Sequence, residues 1–163
     1  MKQSSIAREW ELDTMVSSRG QSKGCLATFI ERKTRFYLAI KIENRSASEM
    51  YRAIYSLIQH FPSNTFKSFT VYRGKEFACY AQVEEKLGIP VYFADSYSSW
   101  CIGSNENGNG LLREFFPKKT DLAKITEEEL NEALSLIHHR PRKCLNWKTS
   151  FELFYEEVSQ LRK

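Results

Sequence analysis

The chain has 163 residues, 42% of them hydrophobic and 27% charged, which is the range of a single globular domain with a core of its own. Lys+Arg 24 against Asp+Glu 20 leaves a net charge of +4, a mild basic bias that admits a polyanionic partner and excludes a histone-like tail. No run reaches the roughly 18 apolar residues of a membrane span, and Met1-Lys2-Gln3-Ser4-Ser5 lacks an apolar signal core, so the sequence predicts a soluble, cytoplasmic protein.

Residues 10–16 and 25–30 are short, bulky and β-prone, and the turn-rich Ser17-Ser18-Arg19-Gly20 follows the first. A third strand, 36–42, comes after the short charged connection Glu31-Arg32-Lys33-Thr34-Arg35, which predicts an antiparallel meander. The period then changes. Met50, Ile54, Leu57, Ile58 and Phe61 recur at helical spacing after Ser46 or Ser48 as N-cap, with Pro62 as the stop. Residues 67–72 return to strand, 76–87 to helix and 89–94 to strand, with Gly88 at the helix exit. This β-α-β-α-β run predicts parallel, right-handed crossovers and a mixed five-stranded sheet with flanking helices. Further helices are expected around 106–116, 126–139 and 149–161, the second opened by a Thr126/Glu129 capping box. Residues 105–110 are a conflict, because Asn-Gly-Asn-Gly favours a turn while Leu111, Leu112, Phe115 and Phe116 favour a helix face.

Cys25, Cys79, Cys101 and Cys144 are scattered and carry no zinc-site spacing, so they are read as reduced thiols. His60, His138 and His139 are read as ordinary surface or helix-end residues. The order β-β-β-α-β-α-β is a ribonuclease-H-like α/β layout, in which the middle of strand one lies beside the end of strand four. Carboxylates placed there, with a third from a later helix, converge to hold two divalent ions for in-line phosphoryl transfer. Asp13 is such a carboxylate, a charge inside an apolar strand, with an edge-strand or capping role as the plainer alternative.

Trp10-Glu11-x-Asp13-Thr14, Glu31-Arg32-Lys33-Thr34-Arg35, Gly74-Lys75-Glu76-Phe77, Val91-Tyr92-Phe93-Ala94-Asp95, Asn105-Glu106-Asn107-x-Asn109-Gly110-Leu111-Leu112-Arg113 and Arg140-Pro141-Arg142-Lys143 occur in this order. Together they resemble the catalytic core of bacterial transposases of the insertion sequence thirty family, of the DDE type and related in fold to retroviral integrases. The resemblance runs from about residue 10 to about residue 155, giving a lead-in over 1–9 and a core domain over 10–163. It implies DNA cleavage and strand transfer with two Mg²⁺ (or Mn²⁺) ions, DNA as partner with a homodimer as an option, and no membrane or small-molecule cofactor. Asp13 matches the first catalytic Asp and Glu106 the Glu, both as metal ligands. Glu106, Asn109, Gly110 and Arg113 would share a helix face, so Arg113 stands either near a phosphate or in a solvated salt bridge.

The family's second Asp is missing, and Tyr72 stands at its position, with the family's 33 residues between it and Glu106. A phenol is neutral at pH 7, bulky, and a poor ligand for a hard cation. Activity is therefore expected to be impaired, with a catalytically silent nucleic-acid-binding or interaction module as the alternative. Glu76 or Asp95 would be the replacement carboxylates, although helix-dipole and turn-forming roles are favoured for them. Tyr72 as a covalent nucleophile is disfavoured, since that chemistry needs an Arg and His cluster on another fold.

Other departures from the family pattern gather near the site: Ser96 and Ser99 for Pro, Cys101-Ile102 for Gln-Arg, Gly108 for a small hydroxyl residue, His138 for Asn and Ser150 for Pro. Gly108 should weaken its helix by roughly up to 1 kcal/mol. Lys118, Lys119, Arg140, Arg142 and Lys143 are candidate DNA contacts, and Trp100 and Trp147 are assigned to the core. The family's helix-turn-helix region has no counterpart before Trp10, so end-specific DNA binding is expected to be weak.

Overall fold

The computed structural model describes residues 9–18, 20, 22–94 and 103–161. The lead-in through residue 8, and Asp95, Ser96, Ser99, Trp100, Cys101 and Ile102, lie outside the described residues.

Alternation of apolar and polar residues builds β1 (Glu9–Val16), while β2 (Cys25–Glu31) is buried along its whole length, as the second strand in from an edge with helices on both faces must be. With β3 (Tyr37–Ile42) they form the expected antiparallel meander, and β4 (Ser68–Val71) and β5 (Val91–Phe93) add in parallel. The sheet order is β3-β2-β1-β4-β5, which sets the first strand beside the fourth.

Between the strands run α1 (Ala47–Ile58), capped by Ser46, and a helical stretch centred on α2 (Tyr80–Gln82). After β5 come α3 (Gly103–Arg113), α4 (Glu127–His138) and α5 (Ser150–Leu161). The Thr126/Glu129 capping box forms as predicted, and Thr149 and Glu152 exchange the same pair of bonds at the start of α5. On one face of the sheet, Trp10, Leu12, Phe69 and Val71 pack with Met50, Ile54 and Phe154; on the other, Met15, Leu26, Ile30 and Tyr37 pack with Leu112, Leu130 and Ile137. Each such large side chain contributes roughly 1.5–3 kcal/mol of transfer free energy. No helix among the described residues is long and apolar enough to cross a membrane.

Three expectations need correction. The helix over 76–87 is not a regular α-helix: Lys75–Cys79 is a 3₁₀ turn and Val83–Leu87 a π turn, around the short α2. At about 100° per residue Phe77 and Cys79 would point apart, and the tighter 3₁₀ turn brings both into the core. The last strand is shorter than 89–94, with Tyr92 and Phe93 exposed on the sheet edge. Trp147 is not core: it lies 66% exposed in a left-handed conformation (φ 67°), where its N–H bonds to the Arg142 carbonyl.

Residues 105–110, which composition leaves open between turn and helix, are helical, in line with the helix expected around 106–116, and Gly108 there is a packing residue. A Cβ at Gly108 would come within 2.5 Å of the Tyr37 ring, so its absence lets α3 lie close on the sheet.

Candidate active site

Side chains alternate along β1, so Glu11, Asp13 and Met15 face α3 while Leu12 and Thr14 face α1. Two asparagines of α3 meet the two acids. Asn105 is buried and bonds Glu11 twice, through its backbone N–H to Oε1 (3.0 Å) and its Nδ2 to the carbonyl (3.1 Å), and its Oδ1 accepts from the Thr28 hydroxyl (3.1 Å). Asn109 donates from Nδ2 to Asp13 Oδ2 (3.1 Å) and accepts at Oδ1 from the Tyr37 hydroxyl (2.6 Å). The geometry is a matched spacing, because four residues of helix rise about 6 Å and two residues of strand about 6.7 Å. Helix α3 is thereby keyed to β1 in one register.

That register carries Glu106, exposed on the next position of α3, to the Asp13 end of the strand, near enough for its charge to act on Asp13. Burial pushes the Asp13 carboxyl above the usual range and the charges of Glu76 and Glu106 add to the rise, while the Thr14 backbone N–H and Asn109 oppose it. Burial likewise raises Glu11, against the Asn105 N–H and the Arg32 guanidinium, whose Nε lies 3.0 Å from Glu11 Oε2. The β1–β4 pairing ends at Leu12 with Val71, so the half-buried Tyr72 follows on the strand beside Asp13.

Glu76 lies in the first turn of the helical stretch after β4 and is buried there. It is 2% exposed on the α1 side, where its Oε2 accepts from the Thr14 hydroxyl (2.6 Å) and its Oε1 from Arg45 Nε (3.1 Å). A Cβ at Gly74 would strike its carboxylate at 2.3 Å, which accounts for a glycine two residues before it. Both Glu76 oxygens are engaged, so it touches Asp13 through its field alone.

The other candidate residues are dispersed. Arg113 donates to the carbonyls of Phe116 (3.3 Å), Pro117 (3.4 Å) and Val16 (3.0 Å), tying the end of α3 to the end of β1. Lys118, Lys119 and Lys143 are exposed, Arg140 pairs with Glu114 (3.4 Å), and Arg142 is buried with its Nη1 lacking a partner. Among the described residues no three of His, Cys, Asp and Glu come together as a metal site. Cys25, Cys79 and Cys144 are free thiols, and burial pushes the first two up to about 11, out of the range of a reactive thiolate. Glu11, Asn105 and Tyr37 are the site residues that motif reading did not single out; the pairing of acids two apart on a strand with amides four apart on a helix was their visible signal.

No protein-family model matches the chain. Transposase InsI of the IS30A element of Escherichia coli is 37% identical over 150 residues, covering 92% of this chain and 38% of the relative. The probable transposase of the IS1161 element of Streptococcus salivarius is 33% identical over 146 residues, covering 90% of this chain and 41% of the relative. The chain thus spans about two fifths of the length of the curated relatives it matches. Among solved structures, the catalytic core of BIV integrase superimposes with a TM-score of 0.75 at 18% identity, over 96% of this chain and 99% of that one. The HTLV-2 integrase catalytic core, solved in complex with magnesium, gives 0.71 at 14% identity, over 91% and 97%. The sequence similarity and the shared sheet agree: over nine tenths of its length this chain is similar to insertion-sequence transposases of the IS30 kind, and its fold is the ribonuclease-H-like one of integrase catalytic cores.

Proposed function

We propose that this domain is the DNA-processing core of a bacterial transposase, working in the cytoplasm on DNA ends and target, and that Tyr72 impairs its strand cleavage and transfer. One observation supports the reading: Asn109 donates to Asp13, whose carboxyl feels the charge of Glu106, and the β1–β4 pairing stops at Leu12 and Val71, immediately before Asp13 and Tyr72. Asp13 and Glu106 would hold one divalent cation, whose chemistry is to activate a water or 3′-hydroxyl toward a phosphodiester. The donor set does not fit two ions, because the residue at the second Asp's place in the sequence is a phenol. Glu76 supplies no substitute ligand while Thr14 and Arg45 occupy its oxygens.

Within this reading the chain's own groups do three things. Asn109, oriented by Tyr37, fixes the rotamer of Asp13; Asn105 sets the height of α3 against β1; and Arg113 closes the end of the cleft by binding three carbonyls. Calorimetric titration of Mg²⁺ and Mn²⁺ into the unchanged chain and into Tyr72→Asp tests the proposal. The expected outcome is at most one ion in the first and two in the second, with metal-dependent nicking of a labelled duplex rising in the variant. Two ions in the unchanged chain would overturn the claim of impairment. The lost carboxylate also favours a second reading, a silent DNA-binding module, which the absence of nicking in both proteins alongside DNA binding would select.

A further inference from the structure

The motif Glu31-Arg32-Lys33-Thr34-Arg35 closes β2 away from the carboxylate site: Asp13 pairs with Thr28, and Glu31, three residues on, lies about 10 Å further along the strand. Glu31 builds the turn that follows. It is buried, and its Oε1 accepts from the Thr34 backbone N–H (2.7 Å), the Thr34 hydroxyl (2.8 Å) and the Lys33 N–H (3.1 Å). The Arg35 N–H closes the turn on the Glu31 carbonyl (2.9 Å). Arg32 is thereby set against β1, where its backbone N–H bonds the Glu9 carbonyl (2.9 Å) and its Nε donates to Glu11 Oε2 (3.0 Å).

Glu11 carries this restraint across to α3. It is fully buried, and its other oxygen, Oε1, accepts from the backbone N–H of Asn105 (3.0 Å), the third residue of the helix. That N–H is one of the four at a helix start with no partner inside the helix, and its usual acceptor is the side chain of an N-cap residue next to it in the chain. Here the acceptor comes from a strand 94 residues earlier, and a carboxylate also suits the positive end of the helix dipole. Because Asn-Gly-Asn-Gly favours a turn, α3 depends on such outside support. Glu106 follows Asn105 directly, so the bond that opens the helix also sets where Glu106 leaves it. With both oxygens engaged, Glu11 is a cap and not a further metal ligand.

We propose that the Glu31–Arg35 turn is a positioning device for Glu106, acting through Arg32 and Glu11 on the first turn of α3. The inference rests on the reading of Asp13 and Glu106 as the metal-holding pair and adds to it the residues that place the second of them. Arg32 and Glu11 are positioning residues, since neither touches the reacting atoms.

Amide hydrogen exchange of the whole chain, read residue by residue, tests it alongside calorimetric titration of Mn²⁺. Glu11→Leu removes the acceptor and should speed exchange over residues 106–112 by about thirtyfold, with less than about threefold change over residues 26–30 of β2. Glu11→Gln keeps an oxygen for the Asn105 N–H and should restore exchange over 106–112 to within about fivefold of the original. If Glu11→Leu does not fold, Arg32→Met carries the test, with an expected speeding of about fivefold confined to α3. Mn²⁺ affinity should fall about tenfold in Glu11→Leu and stay within about twofold when the same change is made in a Glu106→Ala chain. Equal speeding in α3 and β2 would make the turn a general stabiliser and overturn the proposal, as would α3 exchange left unchanged. A loss of Mn²⁺ affinity that persisted without Glu106 would overturn it too. If the unchanged chain binds no Mn²⁺ while Glu11→Leu loosens α3 alone, the metal reading fails and the placement of Glu106 by the turn stands on the exchange.

Discussion

On the α3 side of β1, Asp13 meets the neutral amide of Asn109, and burial raises its carboxyl; on the α1 side, Glu76 meets a hydroxyl and the Arg45 guanidinium. The second arrangement is a satisfied ion pair that anchors the start of a helix. The first leaves Asp13 short of positive partners among carboxylates of like sign, the condition of a group kept for something that arrives later. Thr14 and Asp13, adjacent on one strand, thus lead to two differently partnered acids on opposite faces of the sheet.

Removing a partner on each side should expose that difference most strongly. Asn105→Ala strips a buried acceptor from Thr28 and a buried donor from the Glu11 carbonyl. At 1–3 kcal/mol for each group left unpaired, the loss should be about 3 kcal/mol in urea unfolding. Thr14→Val on the opposite face leaves Glu76 its Arg45 and should cost only about 1 kcal/mol. Equal costs would mean that the amide register between α3 and β1 does not anchor the site.

The next test concerns how α3 comes to be a helix. By propensity, Gly108→Ala should gain about 1 kcal/mol. By packing it should lose about 1–3 kcal/mol, because the new methyl meets the Tyr37 ring at 2.5 Å and Ile30 at 3.2 Å. Tyr37 has little room to yield, being fully buried with its hydroxyl on Asn109. A lower melting temperature in calorimetry is the expected result, and a higher one would return the residue to its sequence-based reading.

That conflict marks the boundary of what the chain discloses. The strand order was legible because the hydrophobic period switches from two to 3.6 and back, and because a short charged connection forces antiparallel neighbours. Asp13 stood out as a charge in an apolar strand, whereas Glu106 was marked by family resemblance and sits in a segment whose local preference is a turn. Its helix is imposed from outside by amide–carboxylate bonds to a strand more than 90 residues earlier. Glu76 stands in the first turn of the helical stretch, where the sequence put it, but its burial was not legible, since that depends on Thr14 and Arg45, neither near it in sequence.

The smallest effect has the opposite sign and isolates Asp13. Burial, and the charges of Glu76 and Glu106, make its ionised form less favourable in the folded chain than in the unfolded one. Asp13→Asn keeps the size and an oxygen to accept from Asn109, and discards the charge. In metal-free buffer at pH 7 it should stabilise the fold by about 1 kcal/mol. The pH dependence carries the proof. With a folded carboxyl raised above its unfolded value of 3.8, the folded state binds the extra proton between the two, so the original chain regains stability as pH falls through that window. The advantage of Asp13→Asn should therefore be greatest at neutral pH and vanish near pH 4. An advantage that persisted there would arise from packing, and a variant less stable at pH 7 would make Asp13 an anchor like Glu76.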